Sequence, residues 1–233
     1  MILYKDAGVD IDANNRVKQR IKKLVRTTFS PQVLSEIGLF GSLYQLSGYK
    51  QPVLVASCDS VGTKLLIAKM MNKHDTIGED IVNHCVNDIL TLGAKPLFFL
   101  DYLGFSKLEP VVSEKIFKGL VRGCKNNHCA LIGGETAQLP GFYKPKEYDL
   151  VGFIVGVVEK RDIIDHTKIN LGDLLVGIPS TGLHTNGYSL ARNIFFEIKK
   201  FYPADRIEGL PKSIGDELLK PHRSYYPMLF PLL

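Results

Sequence analysis

The sequence has no tryptophan and only four cysteines among its 233 residues. The cysteines form no C-x-x-C pair, so neither a zinc site nor a thiol-redox motif is indicated; they are Cys58, Cys85, Cys124 and Cys129. We expect free thiols in a reducing compartment. Because tryptophan is missing and basic residues do not interleave with aromatic ones, a nucleic-acid-binding surface is not expected.

Long hydrophobic runs are also missing. No stretch comes near the roughly 18 consecutive apolar residues of a membrane-spanning helix. Charged residues at Lys5 and Asp6 leave no room for the apolar core of a signal peptide. We therefore expect a cytoplasmic protein without a membrane partner. Its net charge of +5 is mild and fits a chain that handles anionic small molecules.

Two common nucleotide-binding motifs are absent as well. The sequence contains neither the G-x-x-x-x-G-K-S/T loop nor the G-x-G-x-x-G turn. If the chain binds ATP, we expect acidic metal ligands and glycine turns on separate strands to do so.

Apolar runs that are typical of strands alternate with amphipathic helical patterns. Strands are predicted at 53–58, 96–103, 130–133, 149–159 and 173–179, and helices at 14–28, 78–92, 113–126 and 187–200. Such alternation indicates an α/β or α+β fold. The polar segment 162–170 lies between two strand-like runs, and we interpret it as the connection to a second domain.

The segment 53–64 combines an apolar strand with the residues that a magnesium-bound phosphate requires. The strand ends at Asp59, whose carboxylate can ligate a hard cation, and Gly62 lets the backbone approach a ligand closely. Thr63 supplies a hydroxyl and Lys64 a positive charge. A strand–turn–helix with incidental polar residues would look similar, so both interpretations stay open for this segment alone.

The predicted helix 78–92 carries polar residues along one stripe, namely Asp80, His84, Asn87 and Asp88. Two carboxylates, an imidazole and an amide on one face can hold Mg²⁺ directly or through water. An ordinary solvated helix face is the alternative, in which His84 is a hydrogen-bonded histidine and not a ligand.

The run 130–136 ends in Gly133, Gly134, Glu135 and Thr136. Paired glycines followed by a carboxylate and a hydroxyl suit a phosphate loop, although a tight turn with a solvated glutamate remains possible. Asp101 lies inside an apolar strand, where a carboxylate needs a partner or a metal.

The segment 179–189 follows a predicted strand and opens a predicted helix. Hydroxyls, an imidazole and an amide crowd this turn, at Ser180, Thr181, His184, Thr185 and Asn186. Such groups at a helix N-terminus form an anion site, and a plain N-cap loop is the alternative.

Seven stretches occur in order along the chain: YKDAGVDID at 4–12, DSVGTK at 59–64, HDTIGEDIVNHCVNDIL at 74–90, PLFFLDYL at 96–103, ALIGGETAQLPGFY at 130–143, GFIVGVVEK at 152–160 and STGLHTNGYSLAR at 180–192. Together they resemble the aminoimidazole ribonucleotide synthetase family of purine biosynthesis, whose members are also called phosphoribosylformylglycinamidine cyclo-ligases. The resemblance runs essentially from end to end of the chain.

The resemblance implies a two-domain fold shared with selenophosphate synthetase and thiamine monophosphate kinase. An ATP-binding and dimerisation domain would span 1–165, and part of a substrate domain would span 166–233. The implied cofactors are ATP and Mg²⁺, and the implied partners are a ribonucleotide substrate and a second copy of the chain. Family members carry a longer second domain, so we expect a C-terminally truncated chain with little activity.

The resemblance also implies roles for individual residues. The metal ligands would be Asp59, Asp88 and Glu135, and the catalytic residues Lys64, Asp88 and His184. ATP and its phosphates would contact Asp6, Asp10, Asp59, Gly62, Thr63, Lys64, Asp80, Asn87, Gly133, Gly134, Glu135 and Thr136. The ribonucleotide would contact Ser180, Thr181, Gly182, His184 and Asn186.

The implied reaction closes formylglycinamidine ribonucleotide to aminoimidazole ribonucleotide at the expense of ATP. Transfer of the γ-phosphoryl group to the amide oxygen gives an iminophosphate, and the amidine nitrogen of the substrate then displaces phosphate. Two alternatives remain open: another ATP-dependent small-molecule kinase of the same superfamily, and a non-catalytic fragment that dimerises.

Overall fold

The computed structural model of the protein describes the backbone of residues 11–233 and the side chains of residues 19–233. Its first part contains the helices α1 (Ile11–Arg26), α2 (Lys64–Met71), α3 (Ile77–Leu90) and α4 (Pro110–Asn126), and the strands β1 (Pro52–Ser60), β2 (Lys95–Phe105), β3 (Ala130–Gln138) and β4 (Tyr148–Glu159). Shorter elements follow: 3-10 turns at Lys160–Asp162 and His166–Lys168, α5 (Tyr188–Arg192) with a π-helical continuation at Asn193–Ile198, α6 (Ile214–Leu218), and α7 (Tyr226–Leu229) with a 3-10 turn at Phe230–Leu232.

The strands of the described residues form one mixed sheet in the order β1-β4-β2-β3. Strand β4 pairs antiparallel with β1 and with β2, whereas β2 and β3 run parallel. Helix α4 makes the crossover between β2 and β3, as a parallel pair requires. The strands predicted near 53–58, 96–103, 130–133 and 149–159 are therefore confirmed, and so is the mixed α/β class.

Helix α3 packs against both the sheet and α4, and its apolar side chains are buried. The two helices approach closely because glycines line their contact. A Cβ at Gly78 would lie 2.2 Å from the carbonyl oxygen of Ile116, and one at Gly119 would lie 2.7 Å from that of Asp75. Both obstacles are backbone atoms, so only glycine fits these positions. The glycine contact fixes the position of α3 against α4 and thereby the direction of its polar stripe.

The sheet face that points away from α3 is apolar and incompletely covered. Leu54 on β1 is 62% exposed and Phe153 on β4 is 42% exposed, and Leu100 on β2 lies on the same face in register with Phe153. The opposite face carries the buried residues Phe99 and Ile154. Among the described residues, one layer of helices therefore covers one side of the sheet.

The strand predicted at 173–179 is wrong, because the backbone there pairs with no strand of the described residues. A lone extended segment has no neighbour to satisfy its backbone groups. Leu174, Leu175 and Val176 accordingly remain exposed. The helix predicted at 187–200 is present as α5 and its π-helical continuation. Among the described residues, no helix has both the length and the apolar character that a membrane crossing needs.

Candidate functional site

Asp59, His84 and Asp88 form a cluster of side chains that could hold a metal ion, where the end of β1 meets α3. Each residue offers one ligand atom, and these atoms lie within 4.8 Å of one another. His84 and Asp88 are one helical turn apart on α3. The structure thus brings together two of the three predicted metal ligands.

Neighbouring donors orient both carboxylates. Asp88 Oδ2 accepts a 2.7 Å hydrogen bond from the Ser57 hydroxyl. Asp59 Oδ1 accepts one of 2.6 Å from the Ser60 N–H, and its Oδ2 lies 3.1 Å from Nε2 of His84. Both carboxylates are partly exposed and keep lone pairs free. Such a donor set fits Mg²⁺, a hard cation that prefers oxygen and retains several waters.

Glu135, the third predicted ligand, lies away from this cluster. It is on β3, at the opposite edge of the sheet from β1, in register with Tyr102 of β2. The adjacent Gly134 is needed for strand packing, because a Cβ there would lie 2.3 Å from the carbonyl oxygen of Asp101. A metal-ligating role of Glu135 stays a prediction.

Asp101 is buried beside Gly134. Burial raises the pKa of the Asp101 carboxyl to about 8, and nearby Glu135 adds to the shift. Its Oδ2 atom has no hydrogen-bond partner among the described residues. The carboxyl is therefore substantially protonated at neutral pH.

Lys64 is completely buried and its ammonium group already holds three acceptors. Nζ lies 2.8 Å from Asp80 Oδ1, 3.0 Å from the carbonyl oxygen of His184 and 2.7 Å from that of Lys220. Burial lowers the pKa of Lys64 and raises the pKa of Asp80 to about 6, and the short contact between them favours an ionised pair at neutral pH. Lys64, at the start of α2, therefore connects α3 to the backbone at His184 and to the backbone at Lys220.

The polar stripe of α3 binds the backbone of residues 220–225, which we call the docked segment. Asp80 Oδ1 accepts the N–H of His222 at 2.6 Å, and Asn83 Nδ2 donates to the carbonyl of the same residue at 2.7 Å. Asn87 donates to the carbonyl of Arg223 at 2.8 Å and accepts the N–H of Tyr225 at 2.9 Å. Asp80 and Asn87, which were predicted to lie beside the phosphates, are thus engaged by protein backbone.

Three histidines meet where the docked segment crosses α3. The ring of His222 stacks on the ring of His184, and their centroids are 4.1 Å apart. The centroid of the His222 ring lies 5.2 Å from the centroid of the His84 ring. Burial, reinforced by the neighbouring histidines and Lys64, lowers the pKa of His222 to about 3. Burial also lowers the pKa of His184. Both imidazoles are therefore neutral at physiological pH.

The predicted ribonucleotide-binding turn at residues 180–186, which we call the substrate loop, lies beside these histidines. Thr185 is buried, and its hydroxyl lies 2.7 Å from His84 Nδ1 and 3.3 Å from His222 Nδ1. The Thr181 hydroxyl donates to the carbonyl of Pro221 at 2.7 Å.

Nε2 of His184 is buried and has no hydrogen-bond partner among the described residues. Ser180 and Gly182 contact each other at the exposed turn. Asp6 and Asp10 lie outside the described residues.

A cavity of about 520 Å³ opens between the substrate loop, the docked segment and α3. Its lining includes Asn83, Thr181, His222 and Arg223. The sequence interpretation missed His222 and Arg223, which belong to no predicted motif. Their only sequence signal is a basic pair inside an otherwise apolar stretch, which is weak because such pairs are common on surfaces.

The comparisons with known proteins place this mixed α/β fold in a class of proteins. Residues 44–158 match the family described as AIR synthase related protein, N-terminal domain. The chain is also similar to the crystal structure of thiamine-monophosphate kinase from Stenotrophomonas maltophilia, with a TM-score of 0.59 and 19% identity over 91% of this chain and 63% of that one. At that identity the likeness shows the fold alone.

Curated relatives specify the family. The chain is 55% identical over 232 residues to a phosphoribosylformylglycinamidine cyclo-ligase of Syntrophotalea carbinolica, covering 99% of this chain and 66% of the relative. It is 55% identical over 234 residues to the protein of that name from Geotalea daltonii, covering 100% of this chain and 67% of the relative. The chain belongs to the phosphoribosylformylglycinamidine cyclo-ligase family. It spans about two thirds of the length of these relatives.

Proposed function

We propose that the chain takes part in the ATP-dependent ring closure of formylglycinamidine ribonucleotide to aminoimidazole ribonucleotide in the cytoplasm. One observation carries the proposal: the same histidine, His84, contacts both the acidic cluster and the substrate loop. His84 lies 3.1 Å from Asp59 through Nε2 and 2.7 Å from Thr185 through Nδ1. A metal-bound phosphate at the cluster would therefore sit next to a substrate held by the loop.

We propose Asp59 and Asp88 as the residues that hold Mg²⁺. Bound there, Mg²⁺ would neutralise charge on the phosphates of ATP during phosphoryl transfer. The chain's own residues would mainly align the amide oxygen of the substrate with ATP, because the following ring closure is intramolecular and depends on positioning. Glu135, and Asp6 and Asp10 of the N-terminal arm, stay proposed contacts of ATP.

His184 is the proposed acid–base residue of ring closure. Its Nε2 atom has no partner among the described residues, and the ring is neutral because burial lowers its pKa. A neutral imidazole with a free ring nitrogen can accept a proton from the attacking amidine. The ribonucleotide is proposed to contact Ser180, Thr181, Gly182 and Asn186, of which Thr181 lines the cavity.

Lys64 is proposed to act on the loop and not only on phosphate. Its ammonium group would have to release Asp80 or a backbone carbonyl before it could reach a bound phosphate. In the described arrangement it holds the carbonyl of His184, which supports a role in placing that imidazole. Direct contact of Lys64 with ATP stays a prediction from the family resemblance.

We also propose that two copies of the chain associate through the exposed sheet face. The apolar side chains of Leu54, Leu100 and Phe153 on this face would be removed from water in a dimer. The N-terminal domain is proposed to end near residue 165, between the two 3-10 turns that follow β4, and residues 166–233 would belong to the substrate domain.

Calorimetric titration with MgATP tests the metal-binding residues. We expect Asp88→Asn to weaken MgATP binding by about 10-fold or more, because a hard cation loses a negative ligand. Asp173→Asn removes the same charge from an exposed loop and should bind like the wild type. Equal affinities of the wild type and Asp88→Asn would remove Asp88 from the site.

An assay with purified substrate tests the reaction itself. Formation of aminoimidazole ribonucleotide would support the cyclo-ligase proposal. Binding of MgATP without any product would favour the non-catalytic alternative, and phosphorylation of another small molecule would favour the kinase alternative.

A further inference from the structure

Asn87 fixes the direction of a hydrogen-bond chain that leads to His84, whose Nε2 lies 3.1 Å from Asp59 Oδ2. Oδ1 of Asn87 accepts the N–H of Tyr225 and its Nδ2 donates to the carbonyl of Arg223. Backbone groups have a fixed polarity, so the amide orientation of Asn87 is determined. The remaining amide hydrogen of Nδ2 points to His222 Nε2 at 3.0 Å. This ring nitrogen must therefore be an acceptor.

The protonation of the other atoms follows step by step. His222 is neutral, since burial lowers its pKa to about 3, so its single ring proton sits on Nδ1. Nδ1 faces the Thr185 hydroxyl at 3.3 Å and donates to it. The hydroxyl then donates to His84 Nδ1 at 2.7 Å. His84 is left with its proton on Nε2, which lies 3.1 Å from Asp59 Oδ2.

We propose that His84 positions the Asp59 carboxylate for the metal as a hydrogen-bond donor, in a chain directed from Asn87 through His222 and Thr185, and is not itself a metal ligand. A ligating Nε2 would have to lose its proton. The proton would move to Nδ1, and the buried hydroxyl of Thr185 would then face two donors and lose its acceptor, which is costly. The proposal rests on the metal site of the proposed function, yet the chain of donors exists without the metal.

The first test measures the histidine tautomers in the metal-free protein. Long-range proton–nitrogen spectra of ¹⁵N-labelled protein should show His222 protonated on Nδ1 and His84 protonated on Nε2. Spectra of His222→Gln and His84→Gln assign the signals. The opposite tautomer at either histidine would overturn the proposal, whether or not the chain binds metal or ATP.

The second test uses Mn²⁺ alone as the probe. Electron spin-echo spectra should lack the strong ¹⁴N coupling of a directly bound imidazole, and the presence of that coupling would overturn the proposal. His84→Leu should weaken Mn²⁺ binding by roughly 10-fold, the usual cost of losing a group that orients a ligand. His84→Gln, whose amide can still donate to Asp59, should retain binding within about 3-fold.

Thr185 provides a matched pair of variants further along the chain. Thr185→Ser keeps the hydroxyl and should preserve both tautomers and the affinity for Mn²⁺. Thr185→Val removes it at nearly the same volume, so His84 should exchange between tautomers and Mn²⁺ should bind more weakly than in the serine variant. Equal tautomer signals in Thr185→Val and Thr185→Ser would overturn the proposed direction of the hydrogen-bond chain. A wild-type protein that binds no Mn²⁺, but has the expected tautomers, would instead overturn the metal site of the proposed function.

Discussion

The sheet region, residues 52–159, and the exposed segment, residues 169–176, contain similar apolar side chains in opposite environments. Ile154 in β4 is fully buried, whereas Leu175 is fully exposed. The difference lies in their neighbours: β4 pairs with two strands and packs under α3, while 169–176 pairs with no strand of the described residues. An apolar sequence therefore specifies a strand only where the rest of the fold supplies its hydrogen-bond partners.

Truncation of a buried side chain in α3 should have the largest effect on stability. Ile81 is fully buried against the sheet, beside Gly152 of β4, so Ile81→Ala should lower the free energy of unfolding by ~2–5 kcal/mol through lost contacts and a cavity. Urea unfolding followed by circular dichroism measures this difference. A change close to zero would mean that α3 does not pack as described.

Asp101 should make the sheet region sensitive to pH. Its pKa is raised to about 8 in the folded state, whereas an unfolded aspartate titrates near 3.9. The folded state therefore binds the proton more tightly between these values, and stability falls as pH rises from about 4 to about 8, by at most on the order of 5 kcal/mol.

Asp101→Asn keeps the shape of the side chain and removes its ionisation. Its free energy of unfolding should fall less between pH 5 and pH 8 than that of the wild type. Parallel pH dependences of the two proteins in urea unfolding would contradict a raised pKa at Asp101.

Substitution in the exposed segment should have the smallest effect on stability. Leu175→Ser should change the free energy of unfolding by no more than about 0.5 kcal/mol, because the side chain contacts water already. It should also reduce concentration-dependent light scattering, since a smaller apolar patch remains exposed. A large loss of stability would show that Leu175 packs against other residues in solution.

The sheet region was predictable because its signals are local. The runs 53–58 and 149–159 are apolar and β-branched, and the apolar side of α3 repeats with helical spacing, so each element follows from its own residues. The same reasoning failed for 173–179, where an equally apolar run pairs with no strand in the described part of the chain.

The candidate site was predictable only in part. Asp59 and Asp88 could be associated because each follows from a recognisable motif, and the structure places them together. The role of α3 in holding the docked segment could not be foreseen, because it depends on contacts between residues distant in sequence. Asp80 and Asn87 looked like ligands of a cation, and their partners include backbone groups of residues 222–225.

The docked segment also has a consequence for the order of folding. The hydrogen bond between Asp80 and His222 closes a loop of 142 residues, whereas all four strands of the described sheet and α3 lie within residues 52–159. Closing long loops costs more chain entropy, and topologies rich in distant contacts fold more slowly. During synthesis the sheet and α3 can assemble while the three histidines are still apart. The histidine cluster therefore forms only after the docked segment has been synthesised, and its appearance would report that this segment has reached α3.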